Sequence, residues 1–71
     1  MSWTMNNQEI CMAKSLKHEV KLSYQCKTEN GIEADEKFII TKIIGNYEQV
    51  EVVNQYNQSY VINTNQLIME S

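Results

Sequence analysis

The hydrophobic pattern of this chain changes period once, near residue 19, and that change limits the fold more than any other feature of the sequence. From Val20 to Cys26 apolar and polar residues alternate, as in a strand with one exposed face. Before it, apolar residues recur at the spacing of a helix that packs against a core; they are Ile10, Met12, Ala13 and Leu16. The sequence therefore predicts one helix followed by strands.

The helix has a complete start signal. Asn6 can cap it, and Glu9 lies three residues on, where its carboxylate can accept from the backbone N–H of the cap. Met5 and Ile10 occupy the two positions of a hydrophobic staple. We expect a helix over residues 6–18, preceded by a mobile N-terminal segment, residues 1–5.

Turn and strand signals divide the rest of the chain. Asn30-Gly31 and Gly45-Asn46 are turn dipeptides, because asparagine and glycine tolerate positive φ. Strands are predicted where β-branched and aromatic residues cluster or alternate between turns. After the strand that begins at Val20, they cover residues 38–44, 47–54, 59–63 and 67–69, with a helical turn or tight loop at 64–66.

Five short strands would leave open sheet edges, and closing the sheet removes them. We therefore predict an α+β fold: an N-terminal helix followed by a small, strongly bent, five-stranded antiparallel barrel of the Sm-like or SH3-like kind. The barrel would cover residues 19–70. A chain of 71 residues makes a single domain, 1–71, with no second domain against which to form a cleft.

Composition indicates a cytoplasmic protein. No stretch approaches the roughly 20 apolar residues of a membrane span, and residues 1–7 lack the basic and apolar regions of a signal peptide. The chain has two cysteines, whereas a disulfide scaffold of this size usually has four or more. We expect Cys11 and Cys26 to be unpaired, buried thiols.

Residues suited to catalysis or metal binding are sparse. His18 is the single histidine, and two cysteines without paired spacing do not complete a zinc site. The acidic cluster Glu33, Asp35 and Glu36 lacks the glycine-containing loop of a calcium site and is typical of a solvated turn. The sequence predicts no enzyme, no metal and no cofactor.

Aromatic and amide residues near the last predicted hairpin have the composition of a recognition surface, with flat rings for area and amides for hydrogen bonds. The residues predicted to contact a partner are Trp3, Tyr47, Tyr56, Tyr60, Asn57 and Gln58. The alternative is that at least one tyrosine caps the core and the others are ordinary strand residues.

Charge is unevenly distributed along the chain. Residues 1–27 have a net charge of +2 and residues 28–71 a net charge of −5. A nucleic-acid-binding face would use the lysines of the first part for phosphates; they are Lys14, Lys17, Lys21 and Lys27. The overall charge of −3 and the absence of arginine, the preferred residue for phosphate and base contacts, disfavour that function.

Short motifs in this order resemble the YolD-like family of Gram-positive bacteria. They are Trp3-Thr4-Met5 before the helix, Val20-Lys21-Leu22-Ser23-Tyr24 running to Asn30-Gly31, Ile40-Thr41-Lys42-Ile43-Ile44, and the closing Leu67-Ile68-Met69-Glu70. The resemblance implies an Sm-like barrel and an association with the DNA-damage response. The chain lacks the family's closing Ile-Pro-Phe-type segment and has Val61-Ile62-Asn63-Thr64 instead. WYL-type ligand-sensing domains and the Hfq-like group look similar through the same strand pattern.

Three functions remain open at this point. The first, which we favour, is a protein-binding accessory or regulatory module, linked to DNA damage or to phage or mobile-element biology, that docks through its aromatic hairpin or a strand edge. The second is a single-stranded nucleic-acid binder. The third is a structural unit that forms a homo-oligomer through its sheet edges. None of the three involves a membrane.

Overall fold

The computed structural model describes residues 2–70, with side chains from 3 to 69. The described chain forms two helices and six strands in two three-stranded antiparallel sheets, so the predicted α+β class is confirmed. The elements are β1 (Ser2–Thr4), α1 (Asn7–Leu16), β2 (Lys21–Leu22), α2 (Tyr24–Asn30), β3 (Phe38–Ile44), β4 (Gln49–Asn54), β5 (Ser59–Asn63), a 3-10 turn (Thr64–Gln66) and β6 (Leu67–Glu70). The first sheet has the order β1-β6-β2 and the second the order β3-β4-β5.

The N-terminal helix begins with the capping box that the sequence predicts. The Glu9 N–H donates to Asn6 Oδ1 at 2.8 Å, and the Asn6 N–H donates to Glu9 Oε1 at 2.9 Å. The helix ends at Lys17, which lies in the left-handed region with a φ of 56°. The His18 N–H then donates to the Ala13 carbonyl at 3.0 Å, which turns the chain towards β2.

The predicted strand from Val20 to Cys26 is wrong beyond β2, where the chain forms α2. Ser23 caps this helix, since its hydroxyl accepts from the Cys26 N–H at 3.2 Å. Gly31, with a φ of 65°, ends it, and the Ile32 N–H donates to the Lys27 carbonyl at 2.8 Å. The dipeptide Asn30-Gly31 is therefore a helix end and not a hairpin turn. Within residues 2–70, neither helix is long and apolar enough to cross a bilayer.

Within the segment that the sequence predicts to be mobile, residues 1–5, the structure describes a strand from Ser2 to Thr4. This strand, β1, pairs antiparallel with β6 in the register Trp3↔Met69 and Thr4↔Ile68. Met5 follows as a core residue, and its N–H donates to the Leu67 carbonyl at 3.0 Å. The partner of this short strand is therefore distant in sequence.

The predicted closed barrel of five strands is also corrected, because the six antiparallel strands do not close. The two sheets meet at a single bridge, where the Val20 N–H donates to the Phe38 carbonyl at 2.9 Å. The 3-10 turn carries the chain from β5 in the second sheet to β6 in the first. Splitting the strands between two sheets leaves outer strands that a closed barrel would lack.

One core lies between the sheets and α1, which packs against β3. Its most deeply buried side chains are Ile10, Phe38, Val50, Val52 and Leu67. Two residues of the predicted apolar stripe of α1, Met12 and Leu16, are exposed instead. The buried face of the helix therefore includes fewer residues than the stripe of apolar residues predicted from its sequence.

The two cysteines differ in environment, which corrects the expectation that both are buried. Both are free, but Cys11 is exposed and Cys26 is buried. Burial raises the pKa of the Cys26 thiol; the Asn30 amide, which donates to Sγ at 3.6 Å, acts in the opposite direction, and Glu29 adds to the rise.

Candidate protein-binding edge

The turn between β4 and β5 is held by the side chain of Asn54, which is 5% exposed. Its Oδ1 accepts from the backbone N–H groups of Tyr56 and Gln58, each at 2.9 Å. Its Nδ2 donates to Gln58 Oε1 at 3.0 Å and to Glu36 Oε1 at 2.5 Å. This saturated amide fixes the turn, and with it the direction in which β5 leaves.

The backbone groups of β5 alternate between β4 and the opposite side of the strand. At one end the Asn54 N–H donates to the Gln58 carbonyl at 3.0 Å, and at the other the Thr64 N–H donates to the Glu48 carbonyl at 3.1 Å. Both pairs continue the β4–β5 register. Since hydrogen-bonded pairs alternate along an antiparallel ladder, the even-numbered residues of β5 bond to β4. The N–H and C=O groups of Ser59, Val61 and Asn63 therefore point away from β4.

The outer side of β5 is the free edge of its sheet. In the sheet order that the structure gives for residues 2–70, β5 pairs with β4 alone. The side chains of Ser59 and Asn63 are exposed, and Val61 is 52% exposed. This edge, defined as Ser59, Val61 and Asn63 of β5, is called the β5 edge below.

The β5 strand lacks three of the usual features that keep an edge from pairing, although α2 lines a groove beside residues 61–63. These features are charged side chains, proline and bulges. The sequence has no charged residue from Val52 to Met69 and no proline anywhere, and the β4–β5 register runs without a shift from Gln49↔Asn63 to Val53↔Ser59. The β5 edge is thus a regular, neutral row of unpaired backbone donors and acceptors.

Four of the residues predicted to contact a partner lie on this hairpin. Tyr56, Asn57 and Gln58 form its turn, where Tyr56 is 67% exposed and Asn57 has a φ of 64°. The Gln58 side chain is held by Asn54. Tyr60 lies on β5, and its ring is half-buried against Phe38 in an edge-to-face contact with centroids 6.0 Å apart. This tyrosine belongs to the core as much as to the surface.

The other two predicted contact residues lie elsewhere. Tyr47 is in the turn between β3 and β4, at the opposite end of β4, and packs against the core with a φ of 63°. A hydrogen bond with the exposed Cys11 side chain raises the pKa of the Tyr47 hydroxyl. Trp3 lies in β1 of the first sheet, and its Nε1 donates to Glu9 Oε2 at 3.3 Å. The predicted aromatic surface is therefore not one contiguous patch.

The lysines proposed for phosphate contacts are also separated. Lys14 and Lys17 lie at the end of α1, whereas Lys21 and Lys27 line a groove of about 420 Å³ beside β2. The Lys27 amine donates to the Ala34 carbonyl at 3.2 Å. The charged residues that line this groove balance; they are Lys21, Lys27 and Lys37 against Glu19, Asp35 and Glu36. A phosphate backbone would meet no net positive charge there.

A second surface is an apolar groove of about 320 Å³ beside α1. Its apolar lining comes from four separate segments of the chain: Met5, Met12 with Ala13, Val20, and Ile68 with Met69. Methionine side chains adapt to irregular ligands. Charges of both signs surround the groove, since Glu19 and Lys21 also line it.

The residues that sequence reasoning missed are those of the β5 edge itself. The signal that could have found them is the uncharged run from Val52 to Met69, within which Ser59–Asn63 alternates without a charge on either face. Among residues 2–70, no group of three histidine, cysteine or acidic side chains could hold a metal ion.

Comparison with known proteins identifies no relative: no protein-family model, no curated protein and no solved structure matches this chain.

Proposed function

We propose that this protein is a small, non-enzymatic protein-binding module that adds an extended segment of another polypeptide chain to the β5 edge. The observation that carries the proposal is the outward direction of the backbone groups of Ser59, Val61 and Asn63 on a neutral, unbulged strand. In strand addition the main-chain hydrogen bonds supply affinity, and alternate side chains supply specificity.

The surroundings of the β5 edge suit such a ligand. The saturated side chain of Asn54 holds the hairpin in place before binding, so little ordering cost remains to be met. Val61 offers a half-exposed apolar contact in the middle of the edge. Tyr56 at the hairpin turn adds an exposed aromatic ring next to the start of the strand.

The test is an NMR titration of labelled protein with a synthetic extended peptide of alternating valine and threonine, with lysines at both ends for solubility. The amides of Ser59, Val61 and Asn63 should shift and exchange more slowly with solvent. The amides of Tyr60 and Ile62 already bond to β4, so their exchange should change less. A peptide N-methylated at alternate residues cannot complete the ladder and serves as the control.

A matched pair of variants at one position separates pairing at the β5 edge from non-specific peptide binding. Val61→Pro removes an outward N–H without removing a bond to β4, so peptide binding should be lost. Val61→Thr keeps the donor and should bind. Shifts confined to the groove beside α1, or equal binding by both variants, would overturn the proposal.

Single-stranded DNA and RNA belong in the same titration, because nucleic-acid binding is the alternative proposal. Shifts of Lys21 and Lys27 that fade with added salt would favour it. The balanced charge of their groove supports the opposite result.

We also propose that the two sheets are an open relative of the Sm-like and SH3-like small barrels. The bridge between Val20 and Phe38 and the 3-10 turn between β5 and β6 support this. Membership of the YolD-like family, an accessory role in the DNA-damage response and a cytoplasmic location stay predictions from the sequence. Deletion in the native host, followed by a survival assay after DNA damage, would test the role.

A further inference from the structure

We infer that the extended segment accepted by the β5 edge is β5 of a second copy of this chain. The inference rests on the proposed strand addition and names its partner. It follows from two properties of the edge that a two-fold axis would use, the spacing of its outward backbone groups and its lack of charge.

The spacing is self-complementary. If two copies of β5 meet antiparallel about a two-fold axis at Val61, each Val61 N–H reaches the Val61 carbonyl of the other copy. Ser59 then lies opposite Asn63 of the second copy, and Asn63 opposite its Ser59. Because these three residues are the ones whose backbone groups point outward, all three donors and all three acceptors of each copy are paired. A register shifted by two residues would leave some of them unpaired.

The side chains fit the same register. On the outer face of the sheet Val61 meets Val61 of the second copy, an apolar pair of β-branched residues. Beside it, Ser59 meets Asn63 of the second copy, and a hydroxyl opposite an amide can form a hydrogen bond. The two three-stranded sheets would join into one sheet of six strands.

Charge explains why a copy of the same chain fits. At a two-fold axis each side chain lies near its own equivalent, so a charged edge would repel itself. The chain has a net charge of −3, yet β5 itself lies in an uncharged run from Val52 to Met69. The acidic side chains near the edge belong to neighbouring elements: Glu51 lies opposite Val61 on β4, and Glu29 of α2 lines a groove with Val61 and Asn63. The contact is short, so we expect a dimer that dissociates on dilution and responds little to salt.

Sedimentation across a wide concentration range, without any added partner, tests the inference. The mass of the wild-type chain should rise from that of a monomer toward twice that value, with similar curves at low and high salt. Val61→Pro should stay a monomer, and Val61→Lys, which places like charges opposite each other, should dimerise about two- to fivefold more weakly. Val61→Thr should dimerise like the wild type. Circular dichroism of each variant checks that the fold persists.

Cross-linking tests the register directly. In a Cys11→Ser background, which removes the exposed native thiol, Val61→Cys should form a disulfide-linked dimer under mild oxidation, since the two Cα atoms would lie about 5.5 Å apart. Tyr24→Cys, at a more exposed position on α2, should link much less.

The outcomes separate this inference from the proposed function. A chain that stays monomeric up to millimolar concentration, but whose β5 edge binds the extended peptide, would overturn self-pairing and leave strand addition intact. A dimer that persists in Val61→Pro, or that links equally well through Tyr24→Cys, would show that another surface associates and would also overturn it.

Discussion

The second sheet has two outer strands, β3 and β5, and they differ in almost every feature that governs edge pairing. β3 contains a charged residue, Lys42, and its register with β4 shifts between Ile40 and Lys42. Its first carbonyl, that of Phe38, already accepts from the Val20 N–H. β5 has a regular register and no charge, and among residues 2–70 no β-bridge joins its outer side, although α2 lines a groove beside residues 61–63.

One sheet can thus be protected from pairing at one edge and left unprotected at the other. A bulge, a lysine and a bridging segment are the features with which natural sheets protect an edge. β3 has all three and also supplies two fully buried core residues, Phe38 and Ile40. β3 therefore serves stability, whereas β5 leaves its outward backbone groups without a strand partner in the described chain. The predictions below test this contrast in the two strands and in the residues that pack beside them.

The largest effect is expected in β3. Phe38→Ala should lower the free energy of unfolding by about 3–5 kcal/mol, because it empties the centre of the core and removes the edge-to-face contact with Tyr60. Val61→Ala in β5 should cost about 0.5 kcal/mol or less. Urea denaturation of the two variants at low protein concentration measures both. Equal losses of unfolding free energy in the two variants would contradict the conclusion that β3 contributes more to stability than β5.

A smaller loss is expected at the turn that leads into β5. Asn54→Ala leaves the N–H groups of Tyr56 and Gln58 without their acceptor and should cost about 1–3 kcal/mol. Hydrogen exchange should accelerate in β5 more than in β3. Asn65→Ala, at an exposed amide in the 3-10 turn, is the control and should be nearly neutral. If exchange accelerated equally in both strands, the turn would not be what fixes β5.

Alkaline pH should weaken the packing beside β5. Cys26 lines a groove with Ile62 and Asn63 of β5, and burial raises the pKa of its thiol in the folded state. The Cys26 thiol therefore makes its full contribution to the free energy of unfolding below its unfolded-state pKa. This contribution decreases as pH rises from about 8 to 10. Cys26→Ala should flatten the fall in unfolding free energy over that range. Cys11→Ala, which removes the exposed thiol, should leave the fall in unfolding free energy with pH unchanged. If Cys26→Ala also left it unchanged, the Cys26 thiol would not be its cause.

The smallest effect tests whether charge alone protects β3. Lys42→Thr should change the free energy of unfolding by about 0.5 kcal/mol or less, since the side chain is exposed. It should also leave the solution mass unchanged, because the bulge and the bridge to Val20 remain. If the variant self-associated through β3, as shown by slower amide exchange in that strand, Lys42 would be the feature that keeps the β3 edge from pairing.

The sequence could predict elements whose signals are local. The capping box of Asn6 and Glu9 specifies the start of α1, and both of its hydrogen bonds form. The β-branched run at Phe38–Ile44 specifies β3. The alternating burial of Gln49–Asn54 follows the sequence pattern of β4. In each case the residues that determine the element lie within it.

Elements that depend on distant partners could not be predicted in the same way. β1 has three residues, too few for a pattern, and exists because β6 pairs with it. The start of α2 is ambiguous because Cys26 is buried whether the segment is a strand or a helix, and Asn30-Gly31 suits a hairpin turn and a helix end equally. The Ser23 hydroxyl decides between them, since it caps the helix and also donates to the Gln66 side chain.

The candidate site also has parts that local sequence signals predict and parts that depend on distant residues. The hairpin with Tyr56, Asn57 and Gln58 was predictable because it is a local turn. Composition could not separate the ring of Tyr60, which is packed on Phe38, from that of Tyr56, which is exposed. Which backbone groups of β5 face outward depends on its hydrogen-bond register with β4, and register is a property of two strands.

The position of Trp3 gives this protein a natural optical probe of one sheet. It is the only tryptophan in the chain, and it lies in β1, opposite Met69 of β6 and bonded to Glu9. Indole emission depends on its immediate surroundings, so it reports on the first sheet and not on the second. Far-ultraviolet circular dichroism averages over both. Melting curves recorded by the two signals would coincide if the sheets open together, and would separate if the first sheet detaches at a lower temperature.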